Sequence, residues 1–284
     1  MPLPSPGDAP PGAPWRPLAA DPRFHFALRR PHARGRPAPT GLLVAVHDST
    51  RDVASLVRAF APLADRHGLL LLAPHFPKSP RGDGEEDGYK RLQEGPLRYD
   101  RLLHAMIDQA AAEAGAPRAC ITRFCLYGYS GGAQFAHRYL WLWPERLHAV
   151  VVGAPGEVTL PDPHAAWWAG VADTAARFGR RVDVAAAARV PVKLLIGERD
   201  TETHEIKPQP PSRLWARAEQ RRGSDRQDRI ACLHAALQAL GSPVSLEVMP
   251  GVAHGSGNAA ALARATGFFE RQLAQKSNAV ANPK

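Results

Sequence analysis

Gly128-Tyr129-Ser130-Gly131-Gly132 sets a serine two positions from a glycine on either side. Upstream, Phe124-Cys125-Leu126-Tyr127 is apolar and strand-like, and downstream, Ala133 to Trp141 can form a helix. A serine on so tight a strand-to-helix turn has its hydroxyl presented at the carboxyl end of the strand, where it can act as a nucleophile. Glycines are needed around it because side chains there would collide. The backbone N–H of Gly131 is left free to hold the oxyanion that forms when a hydroxyl attacks a carbonyl. The alternative is a glycine-rich turn with an incidental serine. The strand before it and the helix after it weigh against that reading.

A nucleophilic serine needs a base, and the base needs an acid to orient it. Val190 to Gly197 reads as a buried strand, with Glu198-Arg199-Asp200 at its end. Val244 to Met249 alternates like a strand, and Pro250 to Gly255 is a loop that carries His254. Taken singly, Asp200 is an ordinary turn aspartate and His254 an ordinary loop histidine. Taken with Ser130, they are three strand-end residues in the order serine, acid, base. Glu198 lies two residues from Asp200 and is a rival acid. Asp200 is preferred because it lies just past the strand, where the chain turns over the sheet. His204, in the loop after Asp200, is the nearest rival among the twelve histidines for the base.

Gly41 to Val46 is another apolar strand, followed by His47-Asp48-Ser49-Thr50. With these parts in place, residues 40 to 272 resemble the α/β-hydrolase family. Within it the chain looks most like bacterial esterases related to polyhydroxyalkanoate depolymerases, feruloyl esterases and dienelactone hydrolases. The cues are His47-Asp48-Ser49, Ala73-Pro74 and Gly197-Glu198-Arg199-Asp200. The resemblance implies that Ser49 supplies the second oxyanion N–H beside that of Gly131. His47 itself reads as a structural histidine that bonds nearby loop backbone. Asp48 stands where the family usually has glycine, although aspartate tolerates unusual backbone angles better than most residues.

Strands and helices alternate through the middle of the chain. That pattern predicts a mostly parallel twisted sheet with helices on both faces, an α/β-hydrolase fold, with ligands bound beyond the carboxyl ends of the strands. Residues 1–20 read as a flexible Pro-rich arm, with eleven of the 28 prolines inside the first forty residues. Residues 21–276 read as one domain and 277–284 as a frayed tail. Phe24, Phe26 and Leu28 mark an edge strand over 23–29. Val53, Leu56, Val57, Phe60 and Leu63 carry helical spacing up to Gly68, and Pro62 predicts a kink or break. Two excursions, 154–189 and 201–226, follow strands on the catalytic side. Tyr129, Trp167 and Trp168 are the candidate substrate-binding residues. For the tryptophans, packing of the excursion onto the body is the alternative.

At 284 residues and 44% hydrophobic, the chain can bury a large core, and no apolar run is long enough to span a membrane. No basic segment followed by an apolar core opens the chain, which predicts a cytoplasmic protein. Three scattered cysteines suit neither a disulfide framework nor a metal site. The formal net charge of +9 comes from dispersed arginines, read as a solvated surface, and no nucleic-acid motif accompanies them. The expectation is therefore a serine ester hydrolase acting on a small-molecule ester through an acyl-enzyme. It needs no metal or organic cofactor and has no nucleic-acid or membrane partner. Its oligomeric state is open. Thioester or amide hydrolysis by the same residues is the nearest alternative, and a hydrolase-fold binding protein without catalysis is the next.

Overall fold

Gly41–Val46 and Phe124–Tyr129 are buried at every position, as strands covered on both faces must be. A computed structural model describes residues 13–32, 38–203 and 223–281 and places these two strands side by side near the middle of an eight-stranded sheet. The strands are β1 (Trp15–Pro17), β2 (His25–Arg29), β3 (Gly41–Val46), β4 (Leu69–His75), β7 (Phe124–Tyr129), β8 (Leu147–Gly153), β9 (Val192–Gly197) and β10 (Val244–Met249). A separate two-stranded hairpin holds β5 (Gln93–Glu94) and β6 (Leu97–Arg98). The sheet order is β1-β2-β4-β3-β7-β8-β9-β10. Every pair from β4 through to β10 is parallel, and β1 and β2 are antiparallel additions.

The order reverses direction at β3. The chain first steps outward to β4 through α1 (Val53–His67), then returns to β7 through α2 (Tyr99–Ala114) and α3 (Arg118–Thr122). Right-handed crossovers in opposite directions put α1 on one face of the sheet and the later helices on the other. Those later helices include α4 (Gly131–Leu142) and α7 (Arg226–Ala239), and the final α8 (His254–Ala281) packs beside α1. A reversal of this kind opens a crevice at the carboxyl ends of β3 and β7, where a doubly wound sheet binds its ligand.

Several expectations need correction. The proline-rich arm is partly structured: Trp15–Pro17 pairs with Pro17↔His25 to Trp15↔Ala27, and Ala13 and Leu18 are buried. Proline forfeits only its own N–H, so it is tolerated on an edge strand. Residues 1–12 of the arm lie outside the described residues. Because β1 lies outside it, β2 is not the edge. Helix α1 runs unbroken through Pro62, which is exposed on the solvent side, where water can bond the carbonyl the ring leaves free. The helix at the carboxyl end continues to Ala281 through most of the expected tail. The arginines are not all solvated: Arg29, Arg138, Arg226 and Arg229 are buried, each with oxygen partners.

The 154–189 excursion carries the short helices α5 (Thr174–Phe178) and α6 (Val184–Ala187) and is tied down at Thr159. Three side chains of α4 hold that one residue. The Arg138 Nε donates to the Thr159 hydroxyl (2.9 Å), the Trp141 indole to its carbonyl (2.8 Å), and the Thr159 N–H donates to the His137 Nε2 (2.9 Å). Most of the second excursion, residues 204–222, lies outside the described residues, and so does the rival base His204.

Candidate active site

Strand β7 ends at Tyr129 and α4 begins at Gly131, so Ser130 is the whole turn. Its φ of 50° and ψ of −111° are sparsely populated for a residue with a side chain. The turn is locked by the Ser130 N–H donating to the Gly153 carbonyl (2.8 Å) and by the Gln134 N–H donating to the Ser130 carbonyl (3.1 Å). Two glycines permit the close approach. A Cβ on Gly128 would fall 2.0 Å from the Gly132 carbonyl oxygen, and one on Gly132 would fall 2.3 Å from that of Val46.

His254 opens α8, just past the loop that follows β10. Its Nε2 lies 3.1 Å from the Ser130 Oγ and its Nδ1 lies 2.7 Å from the Asp200 Oδ2. A carboxylate only accepts, so Nδ1 carries the proton and Nε2 is left to accept from the serine hydroxyl. Asp200 is fully buried in the turn after β9. Its second oxygen meets the buried Arg226 guanidinium (3.3 Å), whose same nitrogen donates to the Glu202 carbonyl (3.0 Å). Glu198 points elsewhere: it accepts from the Gly251 N–H (2.7 Å) and so ties the end of β9 to the loop that carries His254.

Tyr129 stacks on His254, with ring centroids 5.5 Å apart and planes 27° apart, and donates its hydroxyl proton to the His254 carbonyl (3.1 Å). Burial pushes this phenol well above its usual pKa, so the hydroxyl stays protonated. Tyr129 therefore holds His254 as well as lining the cleft. Across the cleft, the loop after β3 is built on buried His47, whose Nδ1 donates to the Asp48 carbonyl (2.7 Å) while the Nε2 accepts from the Phe76 N–H (3.0 Å). Burial pushes the pKa of this imidazole well below the ordinary histidine value, in keeping with a neutral ring that both donates and accepts. Asp48 uses its carboxylate where the family glycine has nothing. One oxygen accepts from the Thr50 N–H (2.9 Å) and the other from the Asn258 side-chain amide (3.3 Å). Asn258 also accepts from the Tyr127 hydroxyl (2.7 Å) and lies one helical turn beyond His254. The Arg51 guanidinium donates to the Ser49 carbonyl (2.7 Å) and so fixes the residue expected to offer the second oxyanion N–H.

A cavity of about 440 Å³ opens over these groups, with Ser130, His254, Ser49 and Tyr129 in its wall beside Lys90 and Gln134. Trp167 and Trp168, expected as pocket walls, are placed elsewhere. Trp167 is buried against Phe178, with ring centroids 4.8 Å apart, and donates its indole N–H to the Arg91 carbonyl (2.8 Å). The Arg91 guanidinium lies over the Trp168 ring at 4.7 Å. Both rings bury apolar area by packing the excursion down. Sequence reasoning missed Arg226 and Asn258. No motif marks Arg226, whereas the four-residue step from His254 to Asn258 on a helix was a usable signal. No group of three or more metal-binding side chains occurs among the described residues.

Strand order, the turn at Ser130 and the positions of the strand-end residues define the α/β-hydrolase fold. Solved structures of that class superpose on the chain. It is similar to LpqC, a poly(3-hydroxybutyrate) depolymerase from Bordetella parapertussis, at 23% identity over 93% of both chains with a TM-score of 0.67. It is also similar to poly(aspartic acid) hydrolase-1 from Sphingomonas sp. KT-1, at 20% identity over 85% of this chain and 90% of that one, TM-score 0.64. An S-formylglutathione hydrolase from Agrobacterium tumefaciens aligns at 17% identity over 88% and 89% of the two chains, TM-score 0.56. No family model and no curated protein sequence matches the chain. No described helix is long and apolar enough to cross a membrane.

Proposed function

We infer that the chain is a serine ester hydrolase that works through an acyl-enzyme intermediate. The observation that carries this reading is the continuous hydrogen-bonded chain from the Ser130 Oγ through His254 to buried Asp200, at 3.1 and 2.7 Å. As Ser130 attacks the ester carbonyl, its proton passes to the His254 Nε2. Asp200 keeps the other nitrogen protonated and stabilises the imidazolium. The backbone N–H groups of Gly131 and Ser49 receive the negative oxygen, each worth roughly 3 kcal/mol of barrier in comparable sites. His254 returns the proton to the leaving alcohol. It then draws a proton from water, which attacks the acyl-enzyme and releases the acid. The structures the chain superposes on include a poly(3-hydroxybutyrate) depolymerase, a poly(aspartic acid) hydrolase and an S-formylglutathione hydrolase, so amide and thioester carbonyls are kept as arms of the test.

The test is a fluorophosphonate probe on the purified chain, followed by a panel of p-nitrophenyl esters of increasing acyl length with matched thioesters and amides. Labelling at Ser130 and fastest turnover of the esters is the expected result. Faster turnover of thioesters or amides would reassign the substrate class. A folded chain that neither labels nor turns over any of them would be a binding protein.

A further inference from the structure

Gln134 lies one helical turn beyond Ser130 in the wall of the same cavity, and the acyl-transfer steps give its side chain no task. The residue is 8% exposed. Its Oε1 accepts from the buried Arg138 guanidinium (3.2 Å). Arginine only donates, so the amide oxygen is turned to Arg138 and the Nε2 is turned away from it. That nitrogen makes no hydrogen bond among the described residues, and it is not sealed from the cavity. A nearly buried amide donor held without an acceptor asks for one from a ligand.

Arg138 also fixes where the donor sits. The same Nη1 donates to the Lys90 carbonyl (2.6 Å), and the Nε donates to the Thr159 hydroxyl (2.9 Å). The amide is therefore pinned to a guanidinium that is itself bonded on two other sides. The Gln134 N–H donates to the Ser130 carbonyl as in a helix, and residues so spaced have Cβ atoms about 5–6 Å apart. The donor thus stands a few bonds from a carbonyl attacked by the Ser130 Oγ. The charges in the described wall favour a neutral partner for it. Lys90 and Arg226 are already paired, with Asp87 (2.6 Å) and Asp200 (3.3 Å), and the carboxylates of Asp48 and Asp87 belong to the same wall. An anionic group entering there would meet like charge.

Resting on the esterase reading of Ser130, we propose that Gln134 is a specificity residue. Its Nε2 donates to a neutral oxygen of the substrate, a hydroxyl, ether or carbonyl, a few bonds from the scissile ester. A hydrocarbon chain in that place strips water from the amide and returns no acceptor, so the site discriminates against it.

The experiment compares matched esters on the full chain and on two variants. The p-nitrophenyl esters of methoxyacetic, 3-methoxypropanoic and 4-methoxybutanoic acid are paired with the butanoate, pentanoate and hexanoate, which replace the ether oxygen by a methylene. 2-Methoxyethyl acetate and butyl acetate make the same comparison on the alcohol side. Gln134→Glu keeps an oxygen for Arg138 and removes the donor, whereas Gln134→Leu removes both. Intrinsic reactivity cancels when the kcat/KM ratio of a pair is compared between variants. In at least one pair, the preference for the oxygen-bearing ester should fall about tenfold in both variants. Ratios within about twofold of wild type in every pair, with Ser130 still labelled by fluorophosphonate, would overturn the role of Gln134 and leave the esterase reading standing. Wild-type protein that neither labels nor turns over any ester would overturn the esterase reading, and the role of Gln134 with it.

Discussion

At the scale of single residues, the site rests on short, directional contacts that join Ser130, His254 and Asp200. Ser130→Ala should fold normally, since alanine fits the same turn, and should lose turnover on the order of 10⁶-fold. Retention of activity within tenfold in a p-nitrophenyl ester assay would dismiss Ser130 as nucleophile. Asp200→Asn should cost on the order of 10⁴ in kcat by leaving the imidazole in the wrong tautomer. Glu198→Gln should cost far less, because among the described residues the Glu198 carboxylate accepts from the Gly251 N–H and lies away from His254. Reversed effects would move the acid to Glu198. Arg226 belongs with this group, although no motif announced it. Arg226→Met strips the buried Asp200 carboxylate of its cation, so activity and melting temperature should fall together. A stability loss of about 3 kcal/mol or more is expected from an unpaired buried charge. A variant with wild-type melting behaviour would show that the guanidinium is dispensable.

At the scale of elements, helix α4 does two jobs. Its first turn begins directly after Ser130, and its inner face pins the following excursion through Thr159. Thr159→Val keeps the shape but removes the oxygen that accepts from the Arg138 Nε (2.9 Å) and donates to the Trp168 carbonyl. Arg138 is fully buried, so the stranded donor should lower stability by about 2 kcal/mol or more. Urea denaturation should register that loss as a lower midpoint at unchanged slope. No shift in the midpoint would mean that the Thr159 hydroxyl is dispensable for holding the excursion. The strand-end loops form a similar unit. Glu198 to Gly251 links the ends of β9 and β10, and Asp48 to Asn258 links the loop after β3 to α8, so His254 and the loop after β3 are positioned relative to each other by these side chains.

At the scale of the whole molecule, acid is the predicted weakness. Burial pushes His75 and His104 down to about 4, and His47 and His137 well below the ordinary histidine value. Each folded-state value lies below that of a free histidine near ~6.5, so the unfolded chain takes up protons that the folded chain refuses. Stability from these groups is complete above about pH 6.5 and declines as the pH falls toward 4. The slope is about 1.4 kcal/mol per pH unit for each histidine fully within that window. For His137 the reason is visible: its Nδ1 donates to the Ala133 carbonyl (2.8 Å) and its Nε2 accepts from the Thr159 N–H, so a second proton would break the latter bond. A melting temperature measured at pH 5 should lie well below that at pH 7.5. A flat profile across that range would show that these imidazoles are solvated.

The sequence by itself determined what is local. Gly128-Tyr129-Ser130-Gly131-Gly132 specifies its own turn because the glycines respond to atoms a few residues away, and the uninterrupted apolar runs of β3 and β7 specify strands covered on both faces. The order of strand-end residues singled out Ser130, Asp200 and His254 as candidates, because each lies where a periodic segment stops. Tertiary structure decided what depends on distant atoms. The pairing of Trp15–Pro17 depends on β2 having an open edge, and the tolerance of Pro62 depends on its facing water. Trp167 and Trp168 could line a pocket or pack an excursion, since an indole buries area equally well in either place. Whether Arg226 meets Asp200 or Asp48 meets Asn258 depends on side chains reaching across the crevice from separate elements. No periodicity or spacing records such a meeting, because only the folded backbone brings those elements within reach.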